Sequence, residues 1–129
     1  NLAPDAITDF NIAEDKFVLI GSDLGIKTPV QFQSGKSNEI KGDGNVIVLT
    51  DTFQNAAAAA RAIANNDNIK ADAGVFVYFN VNLGISRLVH SQDLSDGGNI
   101  SVLANMTNQT GQNAINSLPT FTANNFNVV

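Results

Sequence analysis

The sequence contains no cysteine and no tryptophan, and it has a single histidine, His90. Because disulfide bonds, thiolate zinc sites, iron–sulfur clusters and cysteine nucleophiles all need cysteine, its absence excludes these chemistries. One histidine also makes an ordinary zinc site improbable. In a serine-type hydrolase His90 would have to be the base, and no nucleophile-elbow glycine pattern accompanies it. We therefore predict that His90 is a packed or half-exposed strand residue and that the protein is not an enzyme.

Positive charge is also scarce, since 7 lysines and arginines stand against 12 aspartates and glutamates, a formal net charge of −5. This balance repels nucleic acid and anionic membrane surfaces, so we predict neither as a partner. No apolar run approaches the ~18 residues of a membrane-spanning helix, so no membrane insertion is expected. The length of 129 residues and a hydrophobic content of 43% fit a single globular domain over residues 1–129. Because the chain opens on Asn1, we expect a piece cut from a longer polypeptide.

Alternation of apolar and polar residues recurs in short bursts between turns, which predicts a mainly β fold of antiparallel strands. We expect two packed sheets, as in a β-sandwich. Residues 6–10 and 16–20 form one predicted hairpin-like pair, and residues 30–33 and 45–49 form another. Asparagine is abundant, which favours turns and exposed loops.

Residues 74–81 form the most apolar predicted strand. One face carries Val75, Val77, Phe79 and Val81, and the other carries Phe76 and Tyr78. Apolar side chains on both faces predict a central strand that is covered on both sides, for instance by a second sheet and a helix. Residues 85–94 and 99–107 complete a predicted three-strand meander, and residues 121–129 are predicted to form the last strand.

Two helices are predicted. An alanine-rich helix lies near residues 52–66, with Asp51 or Thr52 as its N-cap and small side chains that allow close packing on a sheet. Its predicted apolar stripe is Phe53, Ala57, Ala60, Ile63 and Ala64. A possible short helix near residues 111–118 would be capped by Thr110 and ended by Pro119.

Two acidic residues near the start of the chain, Asp5 and Asp9, are the candidate metal ligands. On a strand they would lie four residues apart on the same face, where carboxylates can bind calcium if a neighbouring strand or turn completes the shell. The other interpretation is an exposed acidic rim, which these residues alone favour because nothing nearby supplies the remaining ligands. The loop at residues 95–101 lacks the spaced oxygen ligands of a calcium loop.

Two blocks of the sequence resemble a known family. The segment DAITDFNIAEDKFVL, residues 5–19, resembles the D-x-I-x-D-F…x-D-x-I-x-L segment that follows the last repeat in hemolysin-type calcium-binding (RTX) proteins, including serralysin-type proteases. The match covers Asp5, Ile7, Asp9, Phe10, Asp15, Lys16 and Leu19, with Phe17 in place of the usual isoleucine. Residues 74–108 and 118–129 look like the C-terminal domain of large cyanobacterial RTX-like surface or secreted proteins.

This resemblance implies a non-enzymatic C-terminal domain of an exported bacterial protein, located outside the cell or on its surface. Residues 1–21 would join an upstream β-roll, whose last coil needs a cap because its strand edges and apolar face are unpaired. The implied partners are that β-roll and the type I secretion machinery. Calcium would lie mainly in the upstream repeats, and Asp5 or Asp9 would complete a last shared site.

The resemblance also makes Phe126, Val128 and Val129 candidates for a secretion signal, although such signals often place an acidic residue where this chain has asparagine. The alternative function is an adhesion or ligand-binding module of a bacterial surface protein. Exposed aromatic residues in a shallow groove would favour that alternative, whereas wholly buried ones would favour the cap. Tyr78, the only tyrosine, is the first residue to inspect.

Overall fold

A computed structural model describes residues 4–129. Its strands form one six-stranded sheet and one two-stranded sheet, which confirms the prediction of a mainly β fold. The strands are β1 (Asp5–Ile7), β2 (Phe17–Leu19), β3 (Phe32–Gly35), β4 (Val46–Phe53), β5 (Gly74–Asn80), β6 (Ile85–Ser91), β7 (Ile100–Thr110) and β8 (Phe126–Val128). The helices are α1 (Gly21–Leu24), α2 (Ala56–Ala64) and α3 (Gly111–Ser117), with 3₁₀ turns at Leu118–Thr120 and Ala123–Asn125.

The larger sheet has the strand order β1-β7-β6-β5-β4-β3. Only the meander from β5 to β7 is antiparallel, and its prediction is confirmed. The pairs β1/β7, β3/β4 and β4/β5 are parallel, as is the β2/β8 pair of the smaller sheet. The prediction of antiparallel strands throughout is therefore wrong, and so are both predicted hairpin-like pairs. Alternation indicates which side chains face inward but not which strand lies alongside.

The central position of β5 is confirmed, because every residue of this strand is buried. Val75, Val77 and Phe79 pack into one apolar cluster together with residues of β2, β8 and α3. Phe76 and Tyr78 pack into a second cluster on the other face, together with α2. The fold therefore has three layers, and the outer layer on the first face is a two-stranded sheet with a helix beside it rather than the second sheet of a sandwich.

Helix α2 begins later than the sequence predicts. Strand β4 continues to Phe53, so the predicted caps Asp51 and Thr52 are strand residues. The N-cap is Asn55, whose side-chain oxygen accepts a hydrogen bond from the backbone N–H of Ala58 at 2.8 Å. The buried side chains of the helix are Ala56, Ala59, Ala60 and Ile63, a stripe that differs from the predicted one. Helix α3 lies where the possible short helix was predicted.

Replacing Asn55 by alanine is expected to lower the free energy of unfolding by about 1 kcal/mol, because the N–H of Ala58 loses its acceptor. Urea denaturation followed by circular dichroism measures the change. Thr52→Ala is the control, since Thr52 lies in β4 with an exposed side chain. A larger loss for Thr52→Ala than for Asn55→Ala would contradict a helix that is capped by Asn55.

Candidate functional site

Residues 8–21 and 121–129 lie together, and we call this pair of segments the clasp. Within it β2 and β8 run in parallel, with Phe17 opposite Phe126 and Leu19 opposite Val128. The backbone pairing extends past both strands, because the Val129 N–H donates to the Leu19 carbonyl at 2.8 Å. The Gly21 N–H in turn donates to the Val129 carbonyl at 2.9 Å. The clasp thus joins most of the predicted junction segment to the three candidate secretion-signal residues.

Aromatic rings fill the space between the clasp and the larger sheet. The rings of Phe10 and Phe17 stack with their centroids 4.5 Å apart. Phe126 lies 5.6 Å from Phe17, 5.9 Å from Phe32 of β3 and 6.2 Å from Phe121, measured between ring centroids. Four of these rings belong to the apolar cluster that covers β5, and the half-buried Phe32 packs against that cluster. The clasp is therefore part of the main core and not an appendage.

Asn125 ties the two halves of the clasp together through hydrogen bonds. Its side chain is buried, and its Nδ2 donates to the carbonyls of Ile12 and Asp15, both at 2.7 Å. Its Oδ1 accepts from the Thr122 N–H at 2.8 Å. The carboxamide thus satisfies three backbone groups, two of which come from the opposite end of the chain.

A second asparagine holds the same segment to β7. The Oδ1 of Asn108 accepts from the Phe10 N–H at 3.1 Å, and its Nδ2 donates to the Phe10 carbonyl at 3.0 Å. Neither Asn108 nor Asn125 was predicted from the sequence, because abundant asparagine indicated turns and exposed loops. Apart from Thr122, their partners lie 98 to 113 residues away, so no local pattern distinguishes these two asparagines from the others.

The two candidate calcium ligands lie at the edge of the larger sheet. Asp5 is in β1, opposite Ala104 of β7, and its side chain is exposed. Asp9 is also exposed but lies in a bend, because β1 ends at Ile7, so the predicted placement of both residues on one strand is wrong. Within residues 4–129, no group of three or more histidine, cysteine, aspartate or glutamate side chains is arranged to hold a metal ion. Calcium binding by Asp5 or Asp9 stays a prediction.

The candidate secretion-signal residues point to opposite sides of β8. Phe126 is buried and Val128 packs against the core, so both face the larger sheet. Val129 points outward and is 62% exposed. Val18 and Ile20, which lie on and just after β2, are exposed as well.

The sole histidine and the sole tyrosine both have structural contacts. His90 lies in β6 as predicted, is almost fully buried, and its Nε2 is 2.7 Å from the carbonyl oxygen of Leu24. It therefore links α1 to the larger sheet. Tyr78 is fully buried, and its hydroxyl accepts a hydrogen bond from Asn80 Nδ2 at 2.9 Å. Of the eight phenylalanines, all within residues 4–129, six are buried, and only Phe32 and Phe53 are half-buried.

The surface of the described residues carries a broad groove of about 950 Å³ between α2 and the loop that leads into β7. Arg61, Asp96 and small side chains such as Ala57 and Ala64 line it.

Across residues 4–129 the helices are too short to traverse a lipid bilayer. No protein-family model, curated protein or solved structure matches the chain.

Proposed function

We propose that the domain is a non-enzymatic C-terminal cap of an exported RTX-type calcium-binding protein and that it supports export of that protein. The observation that carries the proposal is the clasp. It brings the segment that resembles the stretch after the last RTX repeat into direct contact with the candidate secretion-signal residues. The place of action is the outside of a bacterial cell or its surface.

The position of β1 suits a junction with a preceding β-roll. This strand is one of the two edge strands of the larger sheet. It runs parallel to β7, and its residues Asp5 and Ala6 are exposed. A preceding parallel strand could extend the sheet from this edge, which would satisfy the unpaired edge of a last coil. The upstream β-roll is thus the proposed partner at β1, and the type I secretion machinery is the proposed partner at β8.

The placement of the aromatic residues favours the cap over an adhesion module. A shallow binding groove usually presents exposed aromatic side chains, which give a ligand a large contact area. Tyr78 is fully buried instead, and the phenylalanines are buried or half-buried. The lining of the groove beside α2 likewise contains no aromatic residue.

Deleting residues 75–129 from the full-length parent protein tests the proposal. We expect export and calcium-induced folding of the upstream repeats to be lost, because β5 to β8 and the clasp disappear together. Ala57→Gly in the parent is the control, since Ala57 is an exposed residue of α2 and the change only weakens that helix. Unchanged export and unchanged calcium-induced folding in the deletion variant would overturn the proposed capping function.

Calcium titration of the 129-residue chain by calorimetry tests the metal prediction. Because the proposal places calcium mainly in the upstream repeats, we expect no binding heat from the isolated domain. Asp5→Asn and Asp9→Asn are titrated in parallel, since both side chains are exposed and neutral asparagine keeps their size. Heat in the wild type that either substitution removes would instead place a complete calcium site in this domain.

A further inference from the structure

We propose that Arg87 is the centre of a binding site for a carboxylate, on the face of the larger sheet that carries α2. Neighbouring strands place their side chains in one row there, because Tyr78 of β5 pairs with Arg87 of β6, and Arg87 pairs with Asn105 of β7. Ala6 of β1 pairs with Asn105 and ends the row at the edge of the sheet. Paired residues of neighbouring strands project to the same face, so these side chains lie side by side.

Exposure increases along this row from the centre of the sheet to its edge. Tyr78 is fully buried in the apolar cluster that includes α2. Arg87 and Asn105 are half-buried, and Ala6 is exposed. The row therefore opens toward β1, where Ala6 carries only a methyl group. A strand added to the edge of β1 would extend the sheet sideways and leave this face free.

The hydrogen bonds of Arg87 go to uncharged groups. Its Nε donates to Asn105 Oδ1 at 2.7 Å, and its Nη1 donates to the Tyr78 hydroxyl at 3.4 Å. Within residues 4–129 nothing accepts from Arg87 Nη2 or Asn105 Nδ2, and no carboxylate forms a salt bridge with Arg87, although the chain has 12 acidic residues. Burial removes part of the hydration of a guanidinium, which an anion bound at this place would offset.

The charge of the site favours a carboxylate over other oxyanions. The row contains one cation and no lysine, and the protein has a net charge of −5, so a singly charged ligand is neutralised whereas a phosphate dianion is repelled. Guanidinium N–H groups match the two oxygens of a carboxylate, and the carboxamide of Asn105 offers a further donor. The carboxylate belongs either to a small molecule or to an acidic side chain of a peptide.

Titration of the 129-residue chain with sodium acetate, followed by ¹H–¹⁵N NMR of the arginine side chains, tests the site. The chain has only two arginines, and Arg61 is exposed on α2, so it is the internal control. We expect the Nε–Hε signal of Arg87 to shift with half-saturation at about 1–10 mM acetate, the affinity of two charge-assisted hydrogen bonds. Chloride at equal ionic strength should leave it unmoved. No saturable shift at Arg87, or an equal shift at both arginines, would overturn the site.

Three further probes identify the source of the carboxylate. The peptide acetyl-Gly-Glu-Gly-amide is titrated beside its glutamine counterpart and inorganic phosphate. Tighter binding of the glutamate peptide than of acetate would assign the site to an acidic side chain, and equal binding would assign it to a small carboxylate. Equal binding of the glutamine peptide, or tighter binding of phosphate than of acetate, would overturn a carboxylate site.

Substitutions separate binding from a purely structural role, with the backbone amide signals of β6 and β7 as the readout. Arg87→Gln is expected to weaken acetate binding at least about tenfold, and Arg61→Gln, which removes the same charge from α2, should bind like the wild type. If Arg87→Gln does not fold by circular dichroism, Asn105→Asp decides, because it places a carboxylate of the chain itself beside Arg87. It should abolish acetate binding and raise the Tm by about 3 °C. Wild-type acetate binding by Asn105→Asp, or by a folded Arg87→Gln variant, would overturn the site.

Discussion

Replacing Phe126 by alanine is expected to lower the free energy of unfolding by about 3–5 kcal/mol, the usual cost of deleting a buried aromatic side chain. The ring is only 6% exposed and lies within about 6 Å of three other rings, from β2, β3 and the segment before β8. Its loss leaves a cavity where the clasp meets the larger sheet. Guanidinium denaturation with linear extrapolation to water measures the change.

Val129→Ala is the matched control for that experiment, because it removes apolar atoms from the neighbouring end of the same segment. Val129 is 62% exposed, so its replacement is expected to change stability by less than about 0.5 kcal/mol. A similar small effect for both variants would mean that β8 lies on the surface of the fold and not within its core.

Replacing Asn125 by alanine is expected to cost about 2–3 kcal/mol, because buried backbone groups lose their hydrogen-bond partners. The carbonyls of Ile12 and Asp15 lose their shared donor, and the Thr122 N–H loses its acceptor. Chemical denaturation measures the stability. Faster hydrogen exchange at the Thr122 amide would show that the loss occurs at the clasp.

Two further variants check this prediction for Asn125. Asn124→Ala alters the adjacent exposed side chain and should change stability by less than about 0.5 kcal/mol. Asn125→Asp keeps an acceptor for Thr122 but has no donor for the two carbonyls, so we expect it to be at least as destabilising as alanine. Wild-type stability in Asn125→Asp would show that the two donated bonds contribute nothing.

Features that depend on neighbouring residues could be predicted from the sequence. The two-sided apolar pattern of β5 identified a central strand, because a strand alternates its side chains between two faces. The turns that follow β5 and β6 are short enough to bring the next strand back alongside, so the meander was also predictable. The run of alanines predicted α2, since alanine has the highest helix propensity.

Features that depend on distant partners could not be predicted. The parallel pair β2/β8 joins segments that are more than a hundred residues apart, and the alternation in each segment is compatible with several neighbours. The start of α2 was misplaced for a related reason. Asp51 and Thr52 are good N-cap residues, but pairing with β5 extends β4 through them, and Asn55 caps the helix instead.

Residue type and local spacing are enough to predict the mainly β class, the strand buried on both faces and the chemistries that the lack of cysteine excludes. The pairing of residues 8–21 with residues 121–129 becomes visible only in the folded chain. The same is true of the roles of Asn108 and Asn125, whose carboxamides bond to backbone groups far away in the chain. Such bonds leave no local pattern, since an asparagine in a turn and an asparagine that joins two ends of a domain have the same neighbours in sequence.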